Sequence, residues 1–257
     1  MPETILVIPC FNEAARLRVD TFSEYLQRDS ETDLVFVDDG SQDETGEILA
    51  SLAAESGGRI ALISQPANLG KAEAVRAGMN QAFERGACYA GYFDADLSTP
   101  LEELSRLRSV LEKKKTVEMV FGSRVQLLGR AIQRRPLRHY LGRVFATVVS
   151  RTLDLAVYDT QCGAKLFRSG PETRRLFEDP FLSNWVFDVE LIARWREGER
   201  TRGLLPAEQI IYELPLDEWV DVAGSKVRPA DFRRALLEIW RIRRRYLGRS
   251  DRPAAGE

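Results

Sequence analysis

Short apolar runs alternate with amphipathic segments through the N-terminal part of the chain, and this alternation constrains the fold more than any other feature. Residues 4–9 (TILVIP), 33–38 (DLVFVD), 60–64 (IALIS) and 89–93 (YAGYF) are such runs, and segments with helical spacing separate them. Continuous apolar runs of this length suit strands that are buried on both faces of a parallel sheet. The repetition therefore predicts an α/β fold in which helices cover both faces of a mostly parallel sheet.

Polar residues follow three of the predicted strands. Residues 9–13, 38–41 and 94–98 each come directly after an apolar run. Because ligands of parallel sheets bind beyond the carboxyl ends of the strands, we expect these three segments to meet at one binding edge. No GxGxxG or GxxxxGKS/T pattern follows any strand, which argues against a dinucleotide-binding fold and a P-loop.

Two carboxylates, Asp94 and Asp96, end the fourth apolar run within the stretch YFDADLST. Alternate residues of a strand share one side, so both side chains can serve the same ligand. Mg²⁺ and Mn²⁺ prefer oxygen ligands and bind through one or two carboxylates together with substrate phosphates. The alternative is a loop in which Asp or Ser caps a helix that begins near Pro100. The convergence of three polar segments favours a metal and diphosphate site.

Composition narrows the class of protein. The 257 residues are 44% hydrophobic and 30% charged, which suits one α/β domain, or one and a half, with a substantial core. Cys10, Cys88 and Cys162 lie far apart, and His139 is the single histidine, so a Cys/His zinc cluster is excluded and a reducing compartment is indicated. No leader peptide is visible, and no apolar run approaches the roughly 18 residues that span a bilayer. We expect a cytoplasmic protein that does not bind nucleic acid.

The later part of the chain contains two basic segments. From Arg124 to Leu153 there are seven arginines and no acidic residue, and apolar residues recur there at helical spacing. This pattern indicates either a helix packed on the sheet or a helix at a lipid surface with arginines as its polar face. Residues 231–247 form a second basic and amphipathic pattern, so peripheral contact with a membrane is an expectation as well.

The remaining local patterns predict element boundaries. Asn12 and Glu13 are expected to open the first helix, and Ser41 with Glu44 to form a capping box for the second. Residues 208–214 read as the last strand of the sheet. We predict one domain over residues 1–230, followed by a C-terminal amphipathic helix and a disordered tail over residues 231–257.

The motifs, taken in order, resemble a known family. PCFNEAARL, VDDGSQDET, NLGKAEAVRAGM and DADLSTP resemble the GT-A glycosyltransferases of family 2. GSR, DTQCGAKLF, WVFDVELI and GSK are similar to the dolichyl-phosphate glucosyltransferase and polyprenyl-phosphate glycosyltransferase branch. The resemblance covers residues 4–230. It implies a GT-A fold, that is, a Rossmann-like three-layer α/β fold with a mostly parallel central sheet, followed here by the C-terminal amphipathic helix.

The resemblance also implies roles for residues of this chain. The nucleotide is expected to contact the first motif, the second aspartate of VDDGS and the lysine of NLGK, and the metal and sugar diphosphate to contact the DxD segment. Two cations are expected to face the diphosphate or an acceptor phosphate. The residues concerned are Pro9, Phe11, Glu13, Asp39 and Lys71 for the nucleotide, Asp94, Ala95 and Asp96 for the metal and diphosphate, and Arg124 and Lys226 for the phosphates.

The chemistry of such enzymes fits these residue types. Cleavage of the sugar–phosphate bond leaves charge on a nucleoside diphosphate, which Mg²⁺ or Mn²⁺ and the cations neutralise. Enzymes of family 2 invert the anomeric centre in one displacement. A phosphate acceptor is already anionic and needs no general base, whereas a hydroxyl acceptor needs one, for which Asp159 and Asp188 are the candidates. Each of these two aspartates also has a structural interpretation, as a loop cap or as a charge at a helix N-terminus.

The sequence departs from the branch in two respects. Dolichyl-phosphate glucosyltransferases of eukaryotes carry an N-terminal membrane anchor and many bacterial relatives carry C-terminal membrane helices, and neither pattern occurs here. The QxxRW motif of processive polymerases is not visible either. We therefore expect the chain to reach a lipid acceptor through its amphipathic segments at the inner face of the membrane, or to use a soluble acceptor.

The leading hypothesis is an inverting, metal-dependent transferase that moves a hexose, glucose from UDP-glucose, to a polyprenyl phosphate. The first alternative keeps this donor and replaces the acceptor by a soluble or glycan hydroxyl. A sugar-1-phosphate nucleotidyltransferase normally has a GxGxR loop after its first strand, which PCFNE does not provide. A non-catalytic module that binds nucleotide sugars is the remaining alternative.

Overall fold

The computed structural model describes residues 2–133, 136–222 and 229–248, with the backbone alone at residues 136–141 and 229–233. The described residues form these strands: β1 (Thr4–Cys10), β2 (Thr32–Asp38), β3 (Ile60–Ser64), β4 (Tyr89–Phe93), β5 (Met119–Ser123), β6 (Ala131–Gln133), β7 (Ala164–Arg168), β8 (Ile211–Pro215) and β9 (Glu218–Val220).

Seven strands form a mostly parallel central sheet in the order β3-β2-β1-β4-β7-β5-β8. Strand β7 is antiparallel to both neighbours, β4 and β5, while the other pairs are parallel. Strands β6 and β9 pair in parallel as a separate small sheet. The carboxyl ends of β1, β2 and β4 therefore lie at one edge of the sheet, as the sequence predicted.

Helices cover both faces of this sheet and complete a three-layer α/β architecture. Alternate residues of β1 show the arrangement, because Leu6 and Ile8 join one core cluster while Ile5 and Val7 join the other. Helices α1, α2 and α4 pack on the first face, and α3, α5, α7 and α9 on the second. The helices are α1 (Val19–Arg28), α2 (Thr45–Glu55), α3 (Lys71–Glu84), α4 (Glu103–Lys113), α5 (Pro136–Leu153), α6 (Pro171–Arg175), α7 (Phe187–Arg202), α8 (Ala207–Ile210) and α9 (Pro229–Ile242), which a π-helical turn (Arg243–Leu247) extends.

Three local predictions were wrong. Helix α1 begins at Val19 and not at Asn12, because Asn12 adopts a φ of 51° in a turn. The capping box of Ser41 and Glu44 does not form, since the Ser41 hydroxyl accepts a bond from the Asn12 N–H, and α2 begins at Thr45. The last strand of the central sheet, β8, begins at Ile211 and not at residue 208, because Ala207–Ile210 form the short helix α8.

Helix α5 packs on the core through the part of its apolar stripe whose side chains are described. Phe145, Val149 and Leu153 are buried in the second core cluster, whereas Val144 is exposed. This arrangement favours packing on the protein over a helix that lies flat on lipid. The side chains of residues 137–141, which the sequence placed in the same stripe, lie outside the description.

The C-terminal helix also packs on this core. Ala235, Ile239 and Ile242 of α9 are buried in the cluster that includes α7, and Tyr246 of the π-helical turn is buried beside them. The predicted division of the chain after residue 230 stays a prediction. The predicted disordered tail falls largely on residues 249–257, outside the described residues.

Close packing of α3 on the sheet depends on a glycine. A Cβ at Gly78 would overlap Cγ1 of Val7 and lie 3.0 Å from Cγ2 of Val37, and both valines are buried and stiff at χ1. We expect Gly78→Ala to lower the free energy of unfolding by about 1–2 kcal/mol, since overpacking costs more than the helix propensity that alanine gains. Urea unfolding measures this change. The control is Gly170→Ala, where the nearest atoms lie 3.8 Å away and little change is expected; equal stability of both variants would contradict the packing argument.

Candidate active site

The loops after β1 and β2 are joined by hydrogen bonds. The Asn12 N–H donates to Ser41 Oγ (2.9 Å), the Gln42 N–H donates to Asn12 Oδ1 (2.8 Å), and the Glu13 N–H donates to Thr45 Oγ1 (2.8 Å). Asparagine tolerates the left-handed backbone at position 12 better than most residues. The sequence PCFNE thus forms a fixed turn whose conformation depends on the second loop.

Asp39 anchors the loop that precedes α3. Its Oδ1 accepts the Leu69 N–H (2.7 Å) and its Oδ2 accepts the Gly70 N–H (2.9 Å). Gly70 has a φ of 96°, which favours glycine at this position. Burial raises the pKa of Asp39, although the two N–H bonds oppose this shift. Because Lys71 directly follows Gly70, the Asp39 carboxylate helps to fix the position of Lys71. Contact of Asp39 with the base or ribose of the nucleotide stays a prediction.

Asp94 and Asp96 lie on the loop that follows β4, and both are partly exposed, while Ala95 between them is buried. The Ser98 N–H donates to Asp96 Oδ1 (3.0 Å), and Leu97 has a φ of 52°. A buried leucine in the left-handed region is strained, and such strain occurs often at functional sites.

Gly163 makes room for the Asp94 carboxylate. A Cβ at position 163 would overlap the carboxylate atoms of Asp94, and the Asp94 N–H donates to the Gly163 carbonyl oxygen (3.1 Å). The glycine of DTQCGAKLF is therefore required by the close approach of the loop before β7 to the acidic pair.

One cation pairs with the acidic pair, and a second lies near it. Lys71 Nζ lies 2.5 Å from Asp94 Oδ1, and the Arg16 guanidinium pairs with Glu13. Burial lowers the pKa of Lys71, but Asp94, Asp188 and Asp96 outweigh this effect and leave the pKa raised. The hydrogen bond to Glu13 raises the pKa of Arg16, with smaller contributions from Asp96 and Asp94. Both cations therefore lie within the electrostatic range of the carboxylate pair.

Arg124 and Asp159 form a two-pronged ion pair near the same edge. Arg124 Nε and Nη2 each lie 2.7 Å from an oxygen of Asp159, and the Arg124 N–H donates to Oδ2 (3.1 Å). Burial opposes the charge of Arg124, yet Asp159 raises its pKa, with a smaller contribution from Asp94. The guanidinium also lies 5.3 Å from the Trp219 ring, and Glu213 accepts the Asp159 N–H (2.7 Å). Two predicted site residues are thus brought together and held by carboxylate and aromatic neighbours.

Asp188 lies in the first turn of α7 and is buried with a lysine. Lys165 Nζ lies 2.8 Å from Asp188 Oδ1, and the Tyr92 hydroxyl donates to the same oxygen. Lys165 is fully buried, also donates to the Cys162 carbonyl oxygen (2.5 Å), and lies 5.1 Å from the Phe121 ring. Asp188 also helps to raise the pKa of Lys71, which pairs with Asp94, so this buried pair lies within electrostatic range of the acidic site.

The acidic pair fits a hard divalent cation. Within the described ranges, no group of three or more His, Cys, Asp or Glu side chains has the arrangement of a metal site. Asp94 and Asp96 therefore offer two carboxylates at most, and the donor set suits Mg²⁺ or Mn²⁺, which keep diphosphate and water oxygens as further ligands. The residues present fit a metal that arrives with a diphosphate.

The other predicted site residues have different outcomes. Pro9 lies near the end of β1, and Phe11 follows the strand directly. Both are partly exposed and adjoin the turn that contains Asn12 and Glu13. Lys226 lies outside the described residues. Arg16 and Lys165 are site residues that the sequence reasoning did not single out. A lysine inside the apolar strand AKLF was the available signal for Lys165, because a buried lysine requires a partner.

The fold and the site define a class of enzyme. A mostly parallel sheet with a DxD pair at its carboxyl edge is the architecture of the GT-A glycosyltransferases. Residues 5–172 match the family model described as glycosyl transferase family 2, and the chain belongs to this family. It is a glycosyltransferase, and the nucleotidyltransferase and the non-catalytic binding module lose their support.

Relatives and solved structures agree with this assignment. The chain is 31% identical to a dolichyl-phosphate beta-glucosyltransferase of Trichomonas vaginalis over 93% of this chain and 70% of the relative. It is 30% identical to a dolichyl-phosphate beta-glucosyltransferase of Dictyostelium discoideum over 94% of this chain and 74% of the relative. The glucosyl-3-phosphoglycerate synthase of Mycobacterium tuberculosis in complex with Mn²⁺ and UDP-glucose has a similar fold, with a TM-score of 0.65, 18% identity, and coverage of 98% of this chain and 81% of that chain.

Removal of one partner from the buried Lys165–Asp188 pair is expected to destabilise the protein. We expect Lys165→Met to lower the free energy of unfolding by about 3–5 kcal/mol, because it leaves Asp188 charged and buried without its cation. Lys165→Met with Asp188→Asn is expected to recover most of this loss, since the amide oxygen still accepts the Tyr92 hydroxyl. Urea unfolding is the measurement, and Arg28→Met, at the exposed pair with Glu24, is a control that changes stability by less than about 1 kcal/mol. If Lys165→Met lowers the free energy of unfolding by no more than Arg28→Met does, Lys165 and Asp188 do not form a buried ion pair.

Gly163→Ala tests the link between the DTQCGAKLF loop and the acidic pair. We expect the added Cβ to displace the Asp94 carboxylate and to weaken binding of UDP in the presence of Mn²⁺ by about tenfold or more, measured by titration calorimetry. Gly170→Ala, where there is room for a Cβ, is expected to bind like the original chain. Unchanged UDP affinity in the folded Gly163→Ala variant would show that the position of Asp94 does not matter for binding.

Proposed function

We propose that this glycosyltransferase transfers glucose from UDP-glucose, with inversion, to a polyprenyl phosphate at the cytoplasmic face of a membrane. The names of the dolichyl-phosphate beta-glucosyltransferases, to which the chain is similar over more than nine tenths of its length, support a glucosyl group and a lipid phosphate acceptor. UDP and a divalent metal are also bound by a fold neighbour, which supports the choice of donor.

One observation carries the choice of acceptor. Both carboxylates that the sequence offers as general bases are engaged by cations, Asp159 by Arg124 and Asp188 by Lys165. The Arg124 guanidinium donates to both oxygens of Asp159, and Lys165 and the Tyr92 hydroxyl contact Oδ1 of the buried Asp188, so both carboxylates already have partners within the protein. A phosphate acceptor needs no base, whereas a sugar hydroxyl does. The pairing therefore supports a phosphate acceptor over a hydroxyl.

The proposed roles of the side chains follow from where charge develops. A phosphate oxygen of the acceptor attacks C1 of glucose from the face opposite UDP, and the bond between C1 and the diphosphate oxygen breaks. The leaving UDP gains negative charge, which Lys71 and Arg124 stabilise from the edge of the sheet. Bound Mg²⁺ or Mn²⁺ supplies Lewis-acid neutralisation of the diphosphate, and Asp94 and Asp96 hold it.

The remaining residues position the donor. Pro9, Phe11 and Glu13 are proposed to contact the base and ribose from the turn after β1. Asp39 is proposed to support nucleotide binding through the loop before α3, which it anchors. Ala95 is proposed to contact the diphosphate through its backbone. Lys226 is proposed to face a phosphate of the donor or acceptor. Arg16 is proposed as a further cation near the donor, since Asp94 and Asp96 both contribute to its raised pKa.

Radiolabelled nucleotide sugars with Mg²⁺ or Mn²⁺ test the proposal. With polyprenyl phosphate as acceptor, we expect label from UDP-glucose to enter the organic phase after extraction, and label from GDP-mannose to remain in water. Polyprenol, which has the same chain and a hydroxyl in place of the phosphate, is the matched control and is expected to receive no label. Transfer to polyprenol or to a soluble glycan, with none to polyprenyl phosphate, would favour the hydroxyl acceptor.

The same assay tests the metal. Asp96→Ala is expected to abolish transfer, because the metal loses a carboxylate ligand, while the fold remains intact. Asp20→Ala, at an exposed aspartate of α1, is the matched control and is expected to retain activity. Full transfer by Asp96→Ala, or transfer by the original chain in excess chelator, would refute the metal assignment.

A further inference from the structure

The outer face of α9 is apolar and lacks a partner among the described residues. Leu237 is 61% exposed, Trp240 is 57% exposed and Leu236 is 42% exposed, although α9 packs its opposite side on α7. Large apolar side chains clustered on one exposed helix face mark an interaction site more often than a neutral surface. These three residues, with Arg234, Arg241 and Arg244, are called the α9 outer face below.

Arginines outnumber acidic residues around this face. Arg234, Arg241 and Arg244 are exposed and flank the apolar residues, and the Arg244 guanidinium lies 5.6 Å from the Trp240 ring. Within residues 234–248, the single acidic residue is Glu238, which is buried and engaged by Ser183 and Arg234. Arg241 and Arg244 form no ion pair with any described residue. Glu238 compensates Arg234, and Glu197, which pairs with Arg245, lies beside Trp240, Arg241 and Arg244. Arg241 and Arg244 thus leave a net positive charge beside the apolar residues.

We propose that the α9 outer face docks on an anionic lipid bilayer and holds the donor site at its surface. The proposal rests on the proposed lipid acceptor, which requires the enzyme to meet a membrane. Arginines beside exposed leucine and tryptophan are the pattern of a helix that lies in the interface plane, with cations at the headgroups and apolar groups below them. None of the described helices is long and apolar enough to cross a bilayer, so this contact is a surface contact.

A second copy of the chain is a poorer occupant. Two α9 outer faces related by a two-fold axis would place arginines against arginines, which is unfavourable without anions between them. A bilayer with anionic headgroups complements both features of the face at once. Charge complementarity therefore selects the lipid surface.

Contacts connect the α9 outer face to the donor site. Ser183 Oγ donates to the carboxylate of Glu238, on the buried side of α9. The next residue, Asn184, packs against Gly70, where a Cβ would lie 3.1 Å from Asn184 Cγ. Gly70 directly precedes Lys71, whose Nζ pairs with Asp94. Docking through α9 would thus place the edge that carries Asp94 close to the bilayer.

A groove lies between α9 and the loop that contains Ser183. It has a volume of about 240 Å³ and is lined by both polar and apolar groups, namely Leu182, Asn184, Arg234, Leu237, Glu238 and Arg241. Leu182 is 47% exposed and extends the apolar surface from α9 toward Asn184. The docking surface is therefore continuous with the side of the molecule that carries the donor site.

Sedimentation with vesicles tests the docking without donor or acceptor. We expect binding to vesicles of phosphatidylcholine with phosphatidylglycerol, weak binding to phosphatidylcholine alone, and a loss of binding at high salt. Leu237→Ser and Trp240→Ser are each expected to weaken binding about tenfold, and Arg241→Glu with Arg244→Glu by a similar factor. Leu205→Ser and Arg28→Glu change residues of similar exposure elsewhere and are expected to bind like the original chain.

The outcomes separate this proposal from the proposed function. Transfer to farnesyl phosphate in solution, which needs no vesicle, is expected to be unchanged in Trp240→Ser. Vesicle binding that survives Leu237→Ser and Trp240→Ser in the folded protein would overturn the docking surface, even with normal transfer to farnesyl phosphate. A dimer in sedimentation velocity that Trp240→Ser dissociates, without lipid, would also overturn it. Trp240-dependent vesicle binding without transfer to any lipid phosphate would support the surface and count against the proposed function.

Discussion

Clustered carboxylates at the end of a parallel sheet repel one another, and the balance of this repulsion by cations is the constraint on which the site depends. Asp94 and Asp96 follow β4, Lys71 from the segment after β3 pairs with Asp94, and Arg16 from the segment after β1 pairs with Glu13 within electrostatic range of both aspartates. The Lys71 position depends in turn on Asp39, which binds the N–H groups before α3. The segments after four strands, β1 to β4, thus contribute to one arrangement of charge. Its carboxylates suit a divalent metal, and its cations suit the diphosphate that arrives with the metal.

A second pair of opposite charges is buried in the core. Lys165 and Asp188 link the antiparallel strand β7 to α7, with Tyr92 of β4 donating to the same carboxylate. Buried charges are costly unless they are paired and hydrogen-bonded, so the pair fixes the relative position of these three elements. Asp159 is paired with Arg124 in the same manner near the surface. Acids that sequence reasoning offers as catalytic bases therefore also maintain the geometry around Asp94.

Much of the central sheet could be predicted from the sequence, because buried strands read as apolar runs and their carboxyl ends carry the polar motifs. The DxD pair and its convergence with PCFNE and VDDGS followed from this pattern. The antiparallel direction of β7 could not be predicted, since AKLF has the same apolar character in either direction. The helix start at Val19 was also inaccessible, because the left-handed turn at Asn12 is stabilised by Ser41 and Gln42 of a distant loop. The role of Gly163 required the three-dimensional approach of two loops.

We propose that Asp94 and Asp96 hold a divalent metal together with the diphosphate of a nucleotide. Anomalous diffraction at the manganese edge, from crystals grown with UDP and Mn²⁺, locates the metal. We expect one strong peak at coordination distance, about 2.1 Å, from a carboxylate oxygen of this pair and from diphosphate oxygens, with Lys71 and Arg124 on the side of the phosphates. UDP bound with no anomalous peak at this pair, or a peak coordinated by other carboxylates, would show that Asp94 and Asp96 do not hold the metal.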